Sequence, residues 1–443
     1  MRRWKWAFVA AWALVVSCVG PPAGVRRPAD SAMDVPVGSD ILIRVALHAQ
    51  DSVLEIGSRA GFVLSTRGKS PADTLLVGFA TEVFRVSSSP GIGILVNATD
   101  GTRLAESSEP LVLTAPPGGL LRAGTRTVRG EIILTTRGDT LLAVNELPLE
   151  EYLRGVVPRE IGPRREEEHE AVAAQAVAAR TYAVRKLGQY PLMPFDLFAD
   201  VRDQVYGGVD AEDEVATAAI RETAGLVLCG PEGLLDAYYS STCGGRRADI
   251  EAVWSWRESS AALRGGPDGA PGREWCRVSK YFEWTETWTG EQLSALVRHH
   301  LPDQRELPAG SVTGELTGLR VVRKGPSRRM ASVEYRTADG VWEVPGDRNR
   351  WILRRPGGGI LRSVLAELEV EKRDGRVEKV TARGRGNGHG VGLCQMGALG
   401  RARAGEGYVR ILKAYFPGTR IRPILRSDLP EGRAAKPGGL ETA

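Results

Sequence analysis

The sequence contains no apolar run long enough to span a bilayer, no block of like charge, no repeat of fixed period and only five cysteines. A membrane-spanning helix needs roughly 20 consecutive apolar residues. The one long apolar run, Trp6 to Val16, is shorter and sits at the N-terminus, so no segment reads as a membrane span. The 59 Lys and Arg are spread along the chain against 54 Asp and Glu, leaving a net charge of +5 with no basic arm. No nucleic-acid partner is expected from that distribution. What is present is a folding chain: 443 residues, 42% of them hydrophobic, can bury a sizeable core divided among two or three domains.

The first residues have the anatomy of an export signal. Arg2, Arg3 and Lys5 form a basic start, AFVAAWALVV an apolar stretch, and VVSC ends it with small residues before Cys18. That ending looks like the site at which bacterial lipoproteins are cleaved and acylated. Residues 1–18 are therefore expected to be a lipoprotein-type signal peptide, with Cys18 the lipid anchor to a membrane. The protein is expected to be exported and membrane-anchored, facing the periplasm or cell wall. Residues 19–40, rich in Pro, Gly and small polar residues, read as a flexible tether. Four further cysteines, Cys229, Cys243, Cys276 and Cys394, are expected to favour disulfides in an oxidising compartment, and the sequence does not choose among their three full pairings.

From Ile41 to about Thr114, short apolar runs separated by polar or Gly-containing turns predict a small β-rich module, bounded here as 41–125. A core over 126–426 follows, and 427–443 has the composition of a disordered tail. Within the core the clearest helix is Glu166 to Leu187, acidic in its first turn and basic in its last, in agreement with the helix dipole. DEVATAAIRETAG predicts a second helix, and strands return between Gly314 and Glu371. The Gly-rich loop GRGNGHGVGLCQMGA precedes a last helix, YVRILKAYF. The fold class read from this pattern is α+β: a β-rich N-terminal module, a central helix-containing core with a substrate cleft, and a β-rich C-terminal part.

Glu160 follows Pro158 at the end of a strand-like run, just ahead of the long helix. A carboxyl held there by stiff backbone and partly desolvated would have a raised pKa, as a general acid for glycosidic cleavage requires. Residue type alone does not select it from 54 acidic residues. Arg180 interrupts an apolar helix near Gln175 and Tyr182. A buried charge needs a partner, so Arg180 either faces the cleft or pairs with Glu151 or Asp200. The turn Ser240, Ser241, Thr242, Cys243, Gly244, Gly245 offers hydroxyls and glycines for sugar recognition, with Tyr238 or Tyr239 as stacking surfaces. No nucleophile elbow is present to make one of those serines catalytic. His389 and Gln395 in the Gly-rich loop read as a cleft wall, and no βαβ pattern supports a dinucleotide site there.

Four stretches, VNELPLEEYLRGVVPREI, EAVAAQAVAARTYAV, AYYSSTCGGRRAD and GRGNGHGVGLCQMGA with ILKAYFPGTRI, resemble in order and spacing the stage II sporulation protein D (SpoIID) family. The resemblance runs from Val144 to Ile421. It implies a peptidoglycan lytic transglycosylase that acts on peptide-stripped glycan strands and leaves 1,6-anhydro-muramoyl ends. It places the catalytic acid/base on Glu160. Arg180, Tyr182, Tyr239, Ser240, Ser241, Thr242, Gly244, Gly245, His389 and Gln395 are then the substrate-binding candidates. The alternative within the same resemblance is a non-catalytic peptidoglycan-binding module that enhances a cell-wall amidase, which would be its partner. The sequence departs from the family at Ile161, Asn387, Cys394 and Met396. Some members carry a zinc site with a His at the serine-rich turn, where this chain has Tyr239. No cofactor is expected. Cys243 and Cys276 are the disulfide candidates, with zinc on those two thiolates, joined by Cys394 or His389, as the alternative.

Overall fold

A computed structural model describes residues 41–50, 53–68 and 74–430. The export signal with Cys18, the tether through residue 40 and the tail from residue 431 lie outside the described residues. Strand β1 (Leu42–Gln50) alternates as a half-buried strand does, with Ile43 and Val45 buried and Leu42 exposed. Its antiparallel partner is β3 (Thr140–Pro148), which also pairs with β2 (Glu131–Arg137). Leu141 to Asn145 in β3 are all buried, the pattern of a strand covered on both faces.

These strands lie in a seven-stranded sheet ordered Leu197–Phe198, β1, β3, β2, Leu111–Thr114, Phe62–Thr66, Thr74–Gly78. A six-stranded sheet, running from Arg126–Val128 to Arg103–Ser107, shares one apolar core with it. The architecture is mixed α+β with a β-rich N-terminal region. The boundary expected at residue 125 does not separate two cores. It falls within the hairpin of Leu121–Ala123 with Arg126–Val128, and β1 is bonded to β3 across it. Both sheet partners of β1, β3 and Leu197–Phe198, lie beyond that boundary, so the N-terminal strands and the core fold around the same interior.

Helix α1 (Leu149–Ile161) follows β3 directly. Its buried positions Leu149, Leu153, Val156 and Val157 recur at helical spacing and carry the helix through Pro158 to Ile161. The strand-like reading of this stretch is thereby corrected: the missing Pro158 N–H costs one helical hydrogen bond near the C-terminus, and apolar burial outweighs it. Helix α2 (His169–Lys186) is buried nearly all round, from Ala171 to Arg180 without a break, as expected of a core helix. Its many alanines let α1, α3 (Glu214–Glu222), α4 (Gln395–Arg403) and α5 (Tyr408–Tyr415) approach closely.

A second apolar core, centred on Trp288, Leu293, Val297, Leu301 and Tyr335, lies between two three-stranded sheets and the helix Gly290–Arg305. Its buried residues run from Trp288 to Ala382, and the main core resumes at Val391. The C-terminal β-rich part is thus an insertion ahead of the Gly-rich loop. Ser427 to Pro430, expected to open the tail, are folded: Asp428 accepts the Arg422 guanidinium at 2.6 and 2.8 Å and the Leu425 N–H at 2.8 Å. Among the described residues no helix is long and apolar enough to cross a membrane.

Candidate functional site

Glu160 occupies the last turn of α1, half-buried, where the helix ends at Gly162. One carboxylate oxygen accepts the Val205 N–H at 2.8 Å, and the Tyr239 hydroxyl also bonds the group. Burial pushes the carboxyl up from 4.5 to about 7, and those two hydrogen bonds oppose the rise only in part. The partial negative charge of the helix C-terminus acts in the same direction as burial. Behind the carboxyl, Gln204 fixes its neighbours. Its amide NH2 donates to Tyr239 Oη at 2.9 Å and to the Ala179 carbonyl at 3.2 Å, and its carbonyl accepts from Tyr152 Oη at 3.1 Å. With its oxygen accepting the Gln204 N–H, the Tyr239 hydroxyl keeps its own proton to donate to Glu160.

The serine turn and the Gly-rich loop meet at a short parallel pairing of Tyr239–Ser240 with Leu393–Cys394. His389 Nδ1 accepts the Val391 N–H at 3.0 Å, so Nε2 carries the proton it donates to the Tyr239 carbonyl at 2.9 Å. Burial lowers the His389 pKa from 6.5 to about 4, and the ring is neutral near pH 7. Tyr238 and Trp254 pack on it, with ring centroids 6.2 and 5.0 Å from the imidazole. Tyr182 stacks edge-on to Tyr238 and Tyr239, and its hydroxyl donates to Asp203 at 3.2 Å. Glu160, Tyr239, Tyr182 and His389 are therefore brought into one connected set, each partly accessible.

Other expected binding residues are used internally. Arg180 is fully buried and forms a bidentate pair with Glu150 at 2.7 and 2.8 Å, while also donating to the Leu226 and Ile220 carbonyls. Its partner is neither Glu151 nor Asp200. Ten residues of helix separate Glu150 from Glu160, about 15 Å along the axis, so Arg180 braces α1 against α2 and does not orient Glu160. Thr242 is buried and bonds Ser279 Oγ at 2.8 Å, Ser240 Oγ accepts the Gly390 N–H at 3.2 Å, and Gln395 donates to Gln175 at 3.4 Å. Ser241 is half-buried, its hydroxyl 3.3 Å from that of Thr242.

Gly244 and Gly245 hold φ of 73° and 83°, and a Cβ on Gly244 would lie 2.9 Å from the Arg385 backbone. Packing demands both glycines. They line a cleft of about 1220 Å³ whose walls include Glu283, Trp284 and Arg383 but not Glu160, Tyr239 or His389. The Sγ atoms of Cys243 and Cys276 stand 3.7 Å apart, beyond the roughly 2.05 Å of a disulfide bond. Cys394 and Asp268 share their buried cluster, which is where the described residues could hold a metal ion. The sequence reading did not single out Gln204, Val205, Asp203 or Trp254. The polar run RDQ set beside the apolar VY was the available signal for the first three.

Fold and site together define an α+β protein with one desolvated carboxyl set among tyrosines. The family model described as Stage II sporulation protein (SpoIID) matches residues 137–229, and a domain of unknown function, DUF8618, matches 275–392. The chain is 31% identical over 300 residues to the amidase enhancer of Bacillus subtilis (strain 168), spanning 61% of this chain and 40% of that protein. It is 28% identical over 295 residues to the stage II sporulation protein D of the same organism, covering 63% and 76%. An uncharacterized protein of Brachyspira hyodysenteriae is 28% identical over 297 residues, covering 66% and 71%. The match over residues 137–229 and these relatives support a place in the SpoIID family and a cell-wall-related role.

Proposed function

We propose that this protein is a lytic transglycosylase that cleaves peptidoglycan glycan strands with Glu160 as its single acid and base. The observation that carries this reading is the half-buried Glu160 carboxyl, raised to about 7 and aimed by the Val205 N–H. At neutral pH such a group is divided between acid and base forms, as both steps require. Protonated Glu160 gives its proton to the glycosidic oxygen as the C1–O bond breaks. The carboxylate then takes the proton of the muramoyl C6 hydroxyl as that oxygen bonds C1, closing the 1,6-anhydro ring and restoring the acid. The nucleophile comes from the substrate, so no second carboxylate is needed, unlike ordinary glycosidases. The tyrosines and His389 around Glu160 supply stacking faces and a fixed wall for sugar rings.

Peptide-stripped strands are the proposed substrate, and export with a lipid anchor at Cys18 would deliver the enzyme to them. The relative named as an amidase enhancer supports a second reading, a peptidoglycan-binding module that stimulates a cell-wall amidase without cleaving glycan. Incubating denuded glycan strands with the native chain and with Glu160→Gln, and scoring 1,6-anhydro products by mass spectrometry, separates the two. Product from the native chain alone supports the enzyme. Binding without product supports the enhancer, and equal product from both proteins removes Glu160 from the mechanism.

A further inference from the structure

Beneath the serine turn lies a group of side chains that the proposed chemistry does not use. Cys243 closes the turn, and Asp268 sits between the short strands Gly266–Pro267 and Gly269–Ala270. Cys276 lies in the single turn Trp275–Val278, and Cys394 is the N-cap of α4. All four are at most 1% exposed, and their ligand atoms lie within 4.8 Å of one another. We propose that Cys243, Asp268, Cys276 and Cys394 form a tetrahedral structural zinc site that ties the serine turn, the 266–278 segment and the Gly-rich loop together.

Three observations carry this. The first is spacing. Zinc–sulfur bonds of about 2.3 Å at tetrahedral angles put two sulfurs about 3.8 Å apart, and a sulfur and an oxygen about 3.5 Å apart. The Cys243 and Cys276 sulfurs are 3.7 Å apart, and Cys243 Sγ is 3.3 Å from Asp268 Oδ2. The second is the polar shell. The Gly245 N–H donates to Cys276 Sγ at 3.2 Å, and the Cys243 and Gly397 N–H groups donate to Cys394 Sγ at 3.2 and 3.3 Å. Donors aimed at sulfur stabilise thiolates, the form that binds metal. Asp268 is itself held by the Tyr415 hydroxyl at 3.0 Å, the outer-shell support that metal-binding carboxylates receive.

The third is charge. Three thiolates and a carboxylate around a divalent ion leave two negative charges in a buried space. Two guanidiniums face them: Arg401, 3.5 Å from Asp268, and Arg329, which donates to the Cys243 and Arg246 carbonyls at 2.8 Å each. Arg329 is 2% exposed, its Nε has no partner, and among the described residues no carboxylate lies within ion-pair distance. A buried cation without a counter-ion is costly, and an anionic metal cluster beneath it supplies one. A Cys243–Cys276 disulfide would leave Arg329 buried without this compensation. The donor set does not involve position 239, so Tyr239 is no obstacle to it.

The test uses the full chain purified under reducing conditions without chelator. Elemental analysis should find one zinc per chain. Replacing it with Co2+ should give visible d–d bands of tetrahedral strength and a near-ultraviolet thiolate charge-transfer band. Cys394→Ser should weaken that charge-transfer band and lower occupancy. Tyr415→Phe, which keeps every ligand, should weaken metal affinity by about 10- to 100-fold. Cys229→Ser should leave metal content unchanged. A folded, metal-free chain that gives no cobalt–thiolate band overturns the proposal, as does peptide mapping that finds Cys243 joined to Cys276. Because the readout is metal content and spectrum, failure here is independent of whether Glu160 cleaves glycan.

Discussion

Replacing Glu160 by Gln tests the environment of the carboxyl as well as its chemistry. The amide oxygen still accepts the Val205 N–H, so the geometry is kept while the titration is removed. The folded group titrates at about 7 where an unperturbed Glu titrates near 4.5. Between those values the folded chain holds a proton that the unfolded chain has released. Raising the pH through this window therefore lowers stability. At about 1.36 kcal/mol per pKa unit the gap corresponds to roughly 3 kcal/mol, an upper figure because the side chain is partly solvated. Glu160→Gln is thus expected to be more stable than the native chain by up to roughly 3 kcal/mol at about pH 8, with the difference fading towards about pH 4.5. Urea denaturation at the two pH values measures it. Product release should fall by about 10²- to 10⁴-fold, and the native rate should fall above about pH 7 as the acid form is lost. A stability difference that does not change with pH would refute the account of a desolvated carboxyl, whatever the activity.

Arg180→Ala removes one partner of a buried bidentate pair and leaves Glu150 uncompensated, so the expected loss is about 3 to 5 kcal/mol of stability. Denaturation shows that loss, and glycan binding by the folded fraction should be unchanged. His389 is held near 4 in the folded chain against 6.5 unfolded, so stability is full above about pH 6.5 and declines as pH falls towards 4. NMR of labelled imidazole should show a neutral Nε2–H ring across that window, and a ring that titrates near 6.5 would contradict the burial. Gly244→Ala places a Cβ against the Arg385 backbone at positive φ, and should cost about 1 to 3 kcal/mol without touching the Glu160 chemistry. A melting comparison with the native chain measures the cost.

The elements that sequence patterning reads correctly are those whose information is local. Helix α2 is legible because its apolar and terminal charged residues all lie within one segment. The pairing of β1 with β3 is not, since Ile43 meets Leu147 across more than a hundred residues and no local pattern names the partner. Pro158 misleads in the opposite direction. Proline argues for a helix boundary from its own chemistry, yet burial of Val156, Val157 and Ile161 keeps the helix intact. The cysteine cluster is a non-local case too: residues 243, 268, 276 and 394 converge only once three loops are in place. Asp268 had no distinguishing mark in the sequence beyond a Gly-rich surrounding.

The same motif that suggests Glu160 also contains Glu150 and Glu151, and the three differ in what faces them. Glu150 meets Arg180 at 2.7 Å, and Glu151 lies 3.4 Å from Arg129. Both carboxylates are paired with guanidiniums, so they serve the fold. Among the described residues no cation pairs with Glu160, whose partners are a backbone N–H and a phenol. Neutral donors orient a carboxyl while leaving its proton affinity high, whereas a guanidinium would hold it ionised through the pH range in which acid catalysis is needed. The distinction therefore lies in the missing counter-ion and not in burial alone. Glu150 shows what the same residue type becomes when a cation is supplied ten residues earlier on the same helix.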